Sequence, residues 1–222
     1  MRIEQITPNI FHVNFRIRTA LSSTFLRFQE HFESPEFKGK IFTLEEFKKW
    51  YTINSPIGKT KGVFTYYTDW SGFNIPSEIL HPFFQGKFDP LSEQELKFLK
   101  LFKDKIKKEE KFYIIGTYGR KDDYWKKEVL RHEIGHGLFY TNPEYKKEVL
   151  KILQEIKPEK KEKITKFLKD NNGYHESVWE DEVHAYLITD LKKLEKHGVD
   201  ISDLKETQEK LLAVFDKHLP NF

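Results

Sequence analysis

Hydrophobic and polar positions alternate with a period of two over residues 10–18. Phe11, Val13 and Phe15 fall on one side of the chain, and mainly polar residues occupy the positions between them. This alternation predicts a half-buried β-strand. Residues 111–120 form a second run that is rich in β-branched and aromatic residues, and this composition also predicts a strand.

Helical patterns occupy much of the remaining N-terminal half. Capping-box spacing, in which Ser or Thr is followed three residues later by Glu, predicts helix starts at Thr43 and Ser92. A short helix capped by Ser23 or Thr24 is also predicted. Residues 53–91 carry Gly, Pro and aromatic residues with little helical periodicity, so strands and long ordered loops are expected there.

The C-terminal half has mainly the apolar periodicity of helices. The predicted helices cover residues 124–140, 143–156, 159–173, 177–198 and 201–219, the third of these closing at Gly173 and the last capped near Ser202. The pattern as a whole predicts an α+β fold with a mostly helical C-terminal half. We expect an N-terminal α+β part over residues 1–110, in the same domain or a separate one, and a metal-binding helical part over residues 111–222.

Composition narrows the possible classes of protein. Aromatic residues make up 15% of the chain, which predicts an aromatic core. The absence of cysteine excludes disulfides and cysteine-liganded zinc. A formal charge of +3 is too small to suggest a nucleic-acid partner, and no apolar run is long enough to predict a membrane span. Arg2 and Glu4 interrupt any apolar leader, so we expect a cytoplasmic protein.

The strongest chemical signal is the pentapeptide HEIGH, which matches the H-E-x-x-H pattern. On a helix, His132 and His136 lie on one face a turn apart, so both imidazoles can reach one zinc ion. Glu133 is then placed beside the open coordination position as a general base. Gly135 and Gly137 each cost the helix about 1 kcal/mol relative to Ala. Their presence predicts close approach of another backbone or of a substrate.

A catalytic zinc ion needs a third protein ligand. A third histidine six residues after the second is excluded because that position is Asn142. The acidic cluster in residues 179–186, on a predicted helix, offers Glu180 and Glu182, and Glu176 just before it is a weaker candidate.

The HEIGH pair, followed by Glu-x-x-Ala on a second helix, resembles the gluzincin metallopeptidases, the thermolysin-like zincins. The resemblance covers residues 111–190 and implies that His132, His136 and Glu182 bind zinc while Glu133 acts as the general base. It also implies a zincin-like fold with a small mixed sheet. In that fold the strand before the HExxH helix is an edge strand, to which a substrate peptide adds.

The chain departs from the gluzincin pattern at one point. The residue four positions after the third ligand is usually Asp or Asn in the family and orients a ligand histidine, whereas here it is Tyr186. Glu180 remains a rival ligand because His184 follows it at the same spacing. We expect His184 to be an ordinary core or surface histidine and Tyr186 to pack.

The expected function is that of a zinc-dependent metallopeptidase with one zinc ion per chain and a peptide or protein substrate. Two alternatives stay open. One is a zincin-fold binding or regulatory protein without turnover, and the other is a metal-dependent hydrolase of a non-peptide amide. An intact Glu133 favours catalysis, because a structural zinc ion needs no base.

Overall fold

The structure is a computed structural model that describes residues 1–120, 124–169 and 176–219. It confirms the α+β class, with 64% helix and a small mixed sheet. Contacts between residues divide the chain into two compact units, Met1–Lys126 and Lys127–Phe222.

The first unit contains the sheet. In the described part of the chain its strands are β1 (Arg2–Thr7), β2 (Ile10–Phe15), β3 (Gly72–Pro76) and β4 (Tyr113–Tyr118), in the spatial order β1-β2-β4-β3. Strands β2 and β4 are parallel, with Val13 opposite Gly116. The outer pairs β1 with β2 and β3 with β4 are antiparallel. The two strands predicted from hydrophobic patterning are β2 and β4.

Strand β4, which precedes the HExxH helix in the chain, is an inner strand, so the predicted edge position is wrong. It hydrogen-bonds to β2 on one side and to β3 on the other. Its apolar run signals burial on both faces, which is typical of a central strand. The pairing also explains why the first unit extends to Lys126 rather than ending at residue 110: β4 completes its sheet.

The first unit also contains helices, the first of which packs on the sheet. They are α1 (Arg18–Glu33), α2 (Leu44–Asn54), α3 (Pro56–Lys61), α4 (His81–Phe84) and α5 (Glu93–Lys107), with 3-10 turns at Tyr66–Thr68 and Ser77–Leu80. Both predicted capping boxes are confirmed, at Thr43 and at Ser92. The predicted start of α1 at Ser23 or Thr24 is wrong, because both hydroxyls donate to the carbonyl of Ala20 inside a helix that is already formed.

The core of the first unit is aromatic, as predicted. Helix α1 packs Phe25 against the sheet, where the ring stacks on Phe73 with centroids 5.5 Å apart. The same ring meets Phe98 of α5 edge to face at 4.9 Å. Edge-to-face and offset pairs of this kind contribute about 0.5–1.5 kcal/mol beyond the area they bury.

The second unit is helical. Helix α6 (Tyr124–Thr141) starts at the end of the first unit, and the others are α7 (Pro143–Gln154), α8 (Pro158–Phe167), α9 (Trp179–Thr189), α10 (Leu191–Lys196) and α11 (Leu204–His218), with a 3-10 turn at Glu176–Val178. The helix predicted over residues 177–198 is divided because Asp190 ends α9 and its side chain caps α10. The predicted closure at Gly173 lies outside the described residues. None of the described helices combines the length and apolar character needed to span a membrane.

Helix α9 lies among the other helices of the second unit and packs against α7, α8, α10 and α11. Every residue from position 182 to position 188 is buried, including the polar Glu182 and His184. Burying two ionisable side chains costs free energy unless they find partners. The buried polar groups of α9 therefore indicate a candidate functional site.

Candidate metal centre

Helix α6 brings the three HExxH residues into the second unit. His136 is 2% exposed and Glu133 6% exposed, while His132 is half-buried. The apolar residues Ile134 and Leu138 are buried beside them and anchor the helix. The predicted helical placement of the motif is confirmed.

Helix α9 supplies a carboxylate to the two imidazoles. Oε1 of Glu182 lies 3.5 Å from Nε2 of His136, and Oε2 lies 3.9 Å from Nε2 of His132. One potential ligand atom from each of the three residues lies within 4.8 Å of the other two. The structure thus brings together the three ligands that the gluzincin resemblance implied.

The rival carboxylates lie elsewhere. Glu180 points towards solvent, with its side chain 58% exposed, and its Oε1 lies 3.5 Å from Nζ of Lys161. Glu176 is exposed in the 3-10 turn before α9. Neither belongs to the group of close side chains that could hold a metal ion in the described part of the chain.

The donor set suits a zinc ion. Two imidazole nitrogens and one carboxylate oxygen form a known ligand set of catalytic zinc, with a fourth position left for water or substrate. Bonds of about 2.0–2.2 Å in a tetrahedron require donor atoms about 3.3–3.6 Å apart, so small side-chain rotations would close the site. Nε2 of His136 is buried and makes no hydrogen bond within the described residues, so no other protein group competes with a metal ion for this nitrogen.

The remaining nitrogen of His132 is held by a hydroxyl group. Nδ1 lies 3.2 Å from Oγ1 of Thr189, and that hydroxyl donates its own proton to the carbonyl of Ala185 at 2.6 Å. Since the hydroxyl has only one proton, its oxygen must accept the N–H of Nδ1. The neutral ring therefore carries its lone pair on Nε2, the nitrogen that faces Glu182.

The corresponding nitrogen of His136 faces a carboxylate. Nδ1 lies 2.9 Å from Oδ1 of Asp181, the residue before Glu182. A carboxylate on the far nitrogen of a ligand histidine orients the ring and makes it a stronger donor. Asp181 and Thr189 thus lie where they would orient the two rings around a metal ion, a role that the family pattern assigns to the position of Tyr186.

Sequence reasoning missed both orienting residues. The family pattern places the orienting carboxylate four residues after the third ligand, which here is Tyr186. The available signal was the second acidic residue of the WEDE sequence, Asp181, which precedes the candidate ligand Glu182 on the same predicted helix.

The electrostatic environment of His132 keeps its ring neutral. Burial is the main cause that lowers its pKa well below the usual value, and the neighbouring His136 and Lys193 lower it further. A neutral imidazole is the form that binds a metal ion.

The environment of His136 favours a cation. Burial alone would lower its pKa, but three carboxylates outweigh this effect and raise the pKa to about 10; they belong to Asp181, Glu182 and Glu133. Burial would likewise raise the pKa of Asp181, yet His136 and His184 lower it to about 2. The carboxylates that stabilise a proton on His136 would equally stabilise a divalent ion in its place.

Two further side chains complete the surroundings. Tyr186 packs edge to face on His132, with ring centroids 5.1 Å apart, and its hydroxyl accepts a hydrogen bond from Lys193 at 2.9 Å. His184 is fully buried and hydrogen-bonds to the hydroxyl of Tyr145 at 2.6 Å. The packing role predicted for Tyr186 and the core position predicted for His184 are confirmed.

Comparison of the chain with protein-family models, with curated proteins and with solved structures finds no match. Any statement about its activity therefore depends on the chemistry of the site.

Proposed function

We propose that the protein is a zinc-dependent peptidase that acts on peptide or protein substrates in the cytoplasm. The supporting observation is the convergence of His132, His136 and Glu182, whose ligand atoms lie within 4.8 Å of one another. Glu133, in the chain next to the first of these ligands, supplies a base that a purely structural metal site does not need.

The proposed chemistry divides between the metal and the chain. A zinc ion bound here would supply Lewis acidity, which polarises a scissile carbonyl and makes water more acidic. Glu133 accepts the proton of the attacking water and then returns it to the leaving amine. Because Glu133 is only 6% exposed, bulk water does not compete strongly for its carboxylate.

The proposal is tested by metal content and peptide hydrolysis measured together. Protein purified without chelator should contain about one zinc ion per chain, as measured by elemental analysis. Glu133→Gln should retain the zinc ion but lose activity on a fluorescent peptide library by about 10²- to 10⁴-fold, because the amide accepts no proton. His132→Ala should lose both.

Glu180→Gln is the matched control, since it removes an exposed carboxylate from the same neighbourhood and should change neither quantity. Wild-type protein that takes up no transition metal would refute the zinc site. Full activity in Glu133→Gln would refute the proposed base. Zinc binding without cleavage of any peptide or folded protein would favour the binding-protein alternative.

A further inference from the structure

A buried hydrogen bond lies behind the candidate metal centre. The hydroxyl of Tyr145, on α7, lies 2.6 Å from Nε2 of His184, on α9, and both side chains are completely buried. Phe139 of α6 stacks on the His184 ring with centroids 5.7 Å apart. Because solvent does not reach this pair, the protein itself determines where its protons lie.

The other nitrogen of His184 determines that arrangement. Nδ1 lies 3.7 Å from Oδ1 of Asp181, one helical turn earlier on α9. A lone pair on Nδ1 would face a negative carboxylate and be repelled, whereas an N–H there is attracted. The proton of a neutral ring therefore lies on Nδ1, and the Tyr145 hydroxyl donates to Nε2.

Asp181 consequently lies between two imidazoles. Its Oδ1 is 2.9 Å from Nδ1 of His136 and 3.7 Å from Nδ1 of His184. The contact with His184 is electrostatic, since 3.7 Å is too long for a hydrogen bond. Attraction to two imidazole edges holds the carboxylate in place more firmly than attraction to one. The position of Asp181 in turn fixes the orientation of the His136 ring.

A glycine in the HExxH helix leaves room for the His184 ring. A Cβ at Gly135 would lie 3.1 Å from Cε1 of His184 and 2.9 Å from Cδ1 of Ile188. The glycine therefore leaves the space that the His184 ring occupies. The predicted approach of another backbone or of a substrate is wrong at Gly135, because the groups that approach it are side chains of α9.

We propose that Tyr145 and His184 form a positioning pair that holds Asp181 against His136 and so presents Nε2 of His136 to the metal. The inference rests on the proposed metal site. It adds that metal affinity depends on a tyrosine hydroxyl that touches none of the three ligands.

The first test measures zinc affinity by competition with a chelator of known affinity. Tyr145→Phe removes only the hydroxyl and should weaken zinc binding by about tenfold, the lower end of the range for outer-shell partners. Phe139→Leu is the matched control, because it disturbs packing on the same imidazole without removing a hydrogen bond. It should lower thermal stability and leave zinc affinity within about twofold, as expected for a side chain that makes no polar contact with His184 or Asp181.

A second pair of variants separates hydrogen bonding from volume. In His184→Gln the amide can still donate towards Asp181 and accept from Tyr145, whereas His184→Leu can do neither. We expect the glutamine variant to bind zinc more tightly than the leucine variant. Equal affinities in the two would overturn the proposal, as would unchanged affinity in Tyr145→Phe or an equal loss in Phe139→Leu.

The proton position is measured independently of the metal. Long-range ¹H–¹⁵N NMR of the metal-free protein, with the ring signals assigned by their loss in His184→Gln, should show the His184 proton on Nδ1. A proton on Nε2 would overturn the pair. Failure of the wild-type protein to bind zinc would instead refute the proposed function, and this spectrum would still decide the proton arrangement on which the pair depends.

Discussion

Asp181 and Glu182 are adjacent in the chain and face opposite nitrogens of one imidazole. Oδ1 of Asp181 lies 2.9 Å from Nδ1 of His136, whereas Oε1 of Glu182 lies 3.5 Å from Nε2. Consecutive residues of an α-helix project about 100° apart. Helix α9 therefore needs only two neighbouring residues to place a carboxylate at both edges of the ring. In the proposed site Glu182 would bind the metal ion and Asp181 would orient the ring.

Glu182, the proposed ligand, and Glu180, its exposed neighbour on α9, should respond differently to mutation. Glu182→Ala removes a proposed ligand and should weaken zinc binding by more than about 100-fold, the upper limit for outer-shell partners. Glu180→Ala removes a solvent-facing side chain and should change the affinity by less than about twofold. Chelator competition measures both, with circular dichroism to confirm that each variant is folded. The reverse ranking would assign the third ligand to Glu180.

Local signals in the sequence predicted much of the fold. The capping boxes at Thr43 and Ser92 and the helical spacing of His132 and His136 each depend on residues within one helical turn, so they can be read without the rest of the chain. The identity of β4 as a strand was equally local, since its composition alone indicates it.

Features that depend on distant partners were not predictable in this way. The inner position of β4 depends on β3, whose residues 72–76 lie in a segment without clear periodicity. The role of Asp181 depends on how α9 meets α6. The pattern from residue 177 to residue 198 appeared continuous because apolar spacing continues across Asp190, although that side chain begins a new helix.

Arg27 and Glu95, which are 68 residues apart in the sequence, form a buried ion pair, and breaking it should cause a large loss of stability. Arg27 donates to both carboxylate oxygens of Glu95 at 2.7 and 2.6 Å, and both side chains are buried. Arg27→Met leaves the Glu95 charge without its partner and should lower the free energy of unfolding by about 3–5 kcal/mol. Urea denaturation measures the change.

Helix α5 supplies the matched control for that experiment. Lys97 and Glu93 form an exposed pair at 2.6 Å, so Lys97→Met should cost less than about 1 kcal/mol. Adding Glu95→Gln to Arg27→Met should recover part of the loss, because glutamine keeps the capping box and removes the buried charge. Similar losses in Arg27→Met and Lys97→Met would contradict the assignment.

The raised pKa of Glu30 should make the protein less stable as the pH rises towards neutrality. Burial raises its pKa from 4.5 to about 7, despite hydrogen bonds with Tyr66 and Ser34 that lower it. Between pH 4.5 and about 7 the folded protein binds more protons than the unfolded chain. The contribution of Glu30 to the free energy of unfolding is therefore present at low pH and is lost as the pH rises through about 7. The slope from one proton is at most about 1.4 kcal/mol per pH unit.

His12 has the opposite effect on the pH dependence of stability, so its contribution must be distinguished from that of Glu30. Burial and then Lys126 lower its pKa from 6.5 to about 4, so its contribution to stability increases as the pH rises through that range. The difference in unfolding free energy between wild type and Glu30→Gln cancels the His12 contribution. We expect this difference to fall from pH 5 to pH 8, as measured by urea denaturation at each pH. A difference that stays constant or rises would show that Glu30 is not the group responsible.

Helix α1 packs closely on the sheet at Gly116. A Cβ at this position of β4 would lie 2.5 and 2.7 Å from ring atoms of Phe25 and 2.8 Å from Cδ1 of Leu21. Real contacts are longer, so Gly116→Ala must displace a core ring, and overpacking of this kind costs about 1–3 kcal/mol. A double-mutant cycle with Phe25→Leu tests the cause, because the smaller side chain makes room for the new methyl group. The double variant should lose less stability than the sum of the two single losses, by about 0.5 kcal/mol or more. Strict additivity would mean that the alanine destabilises β4 by some route other than contact with Phe25.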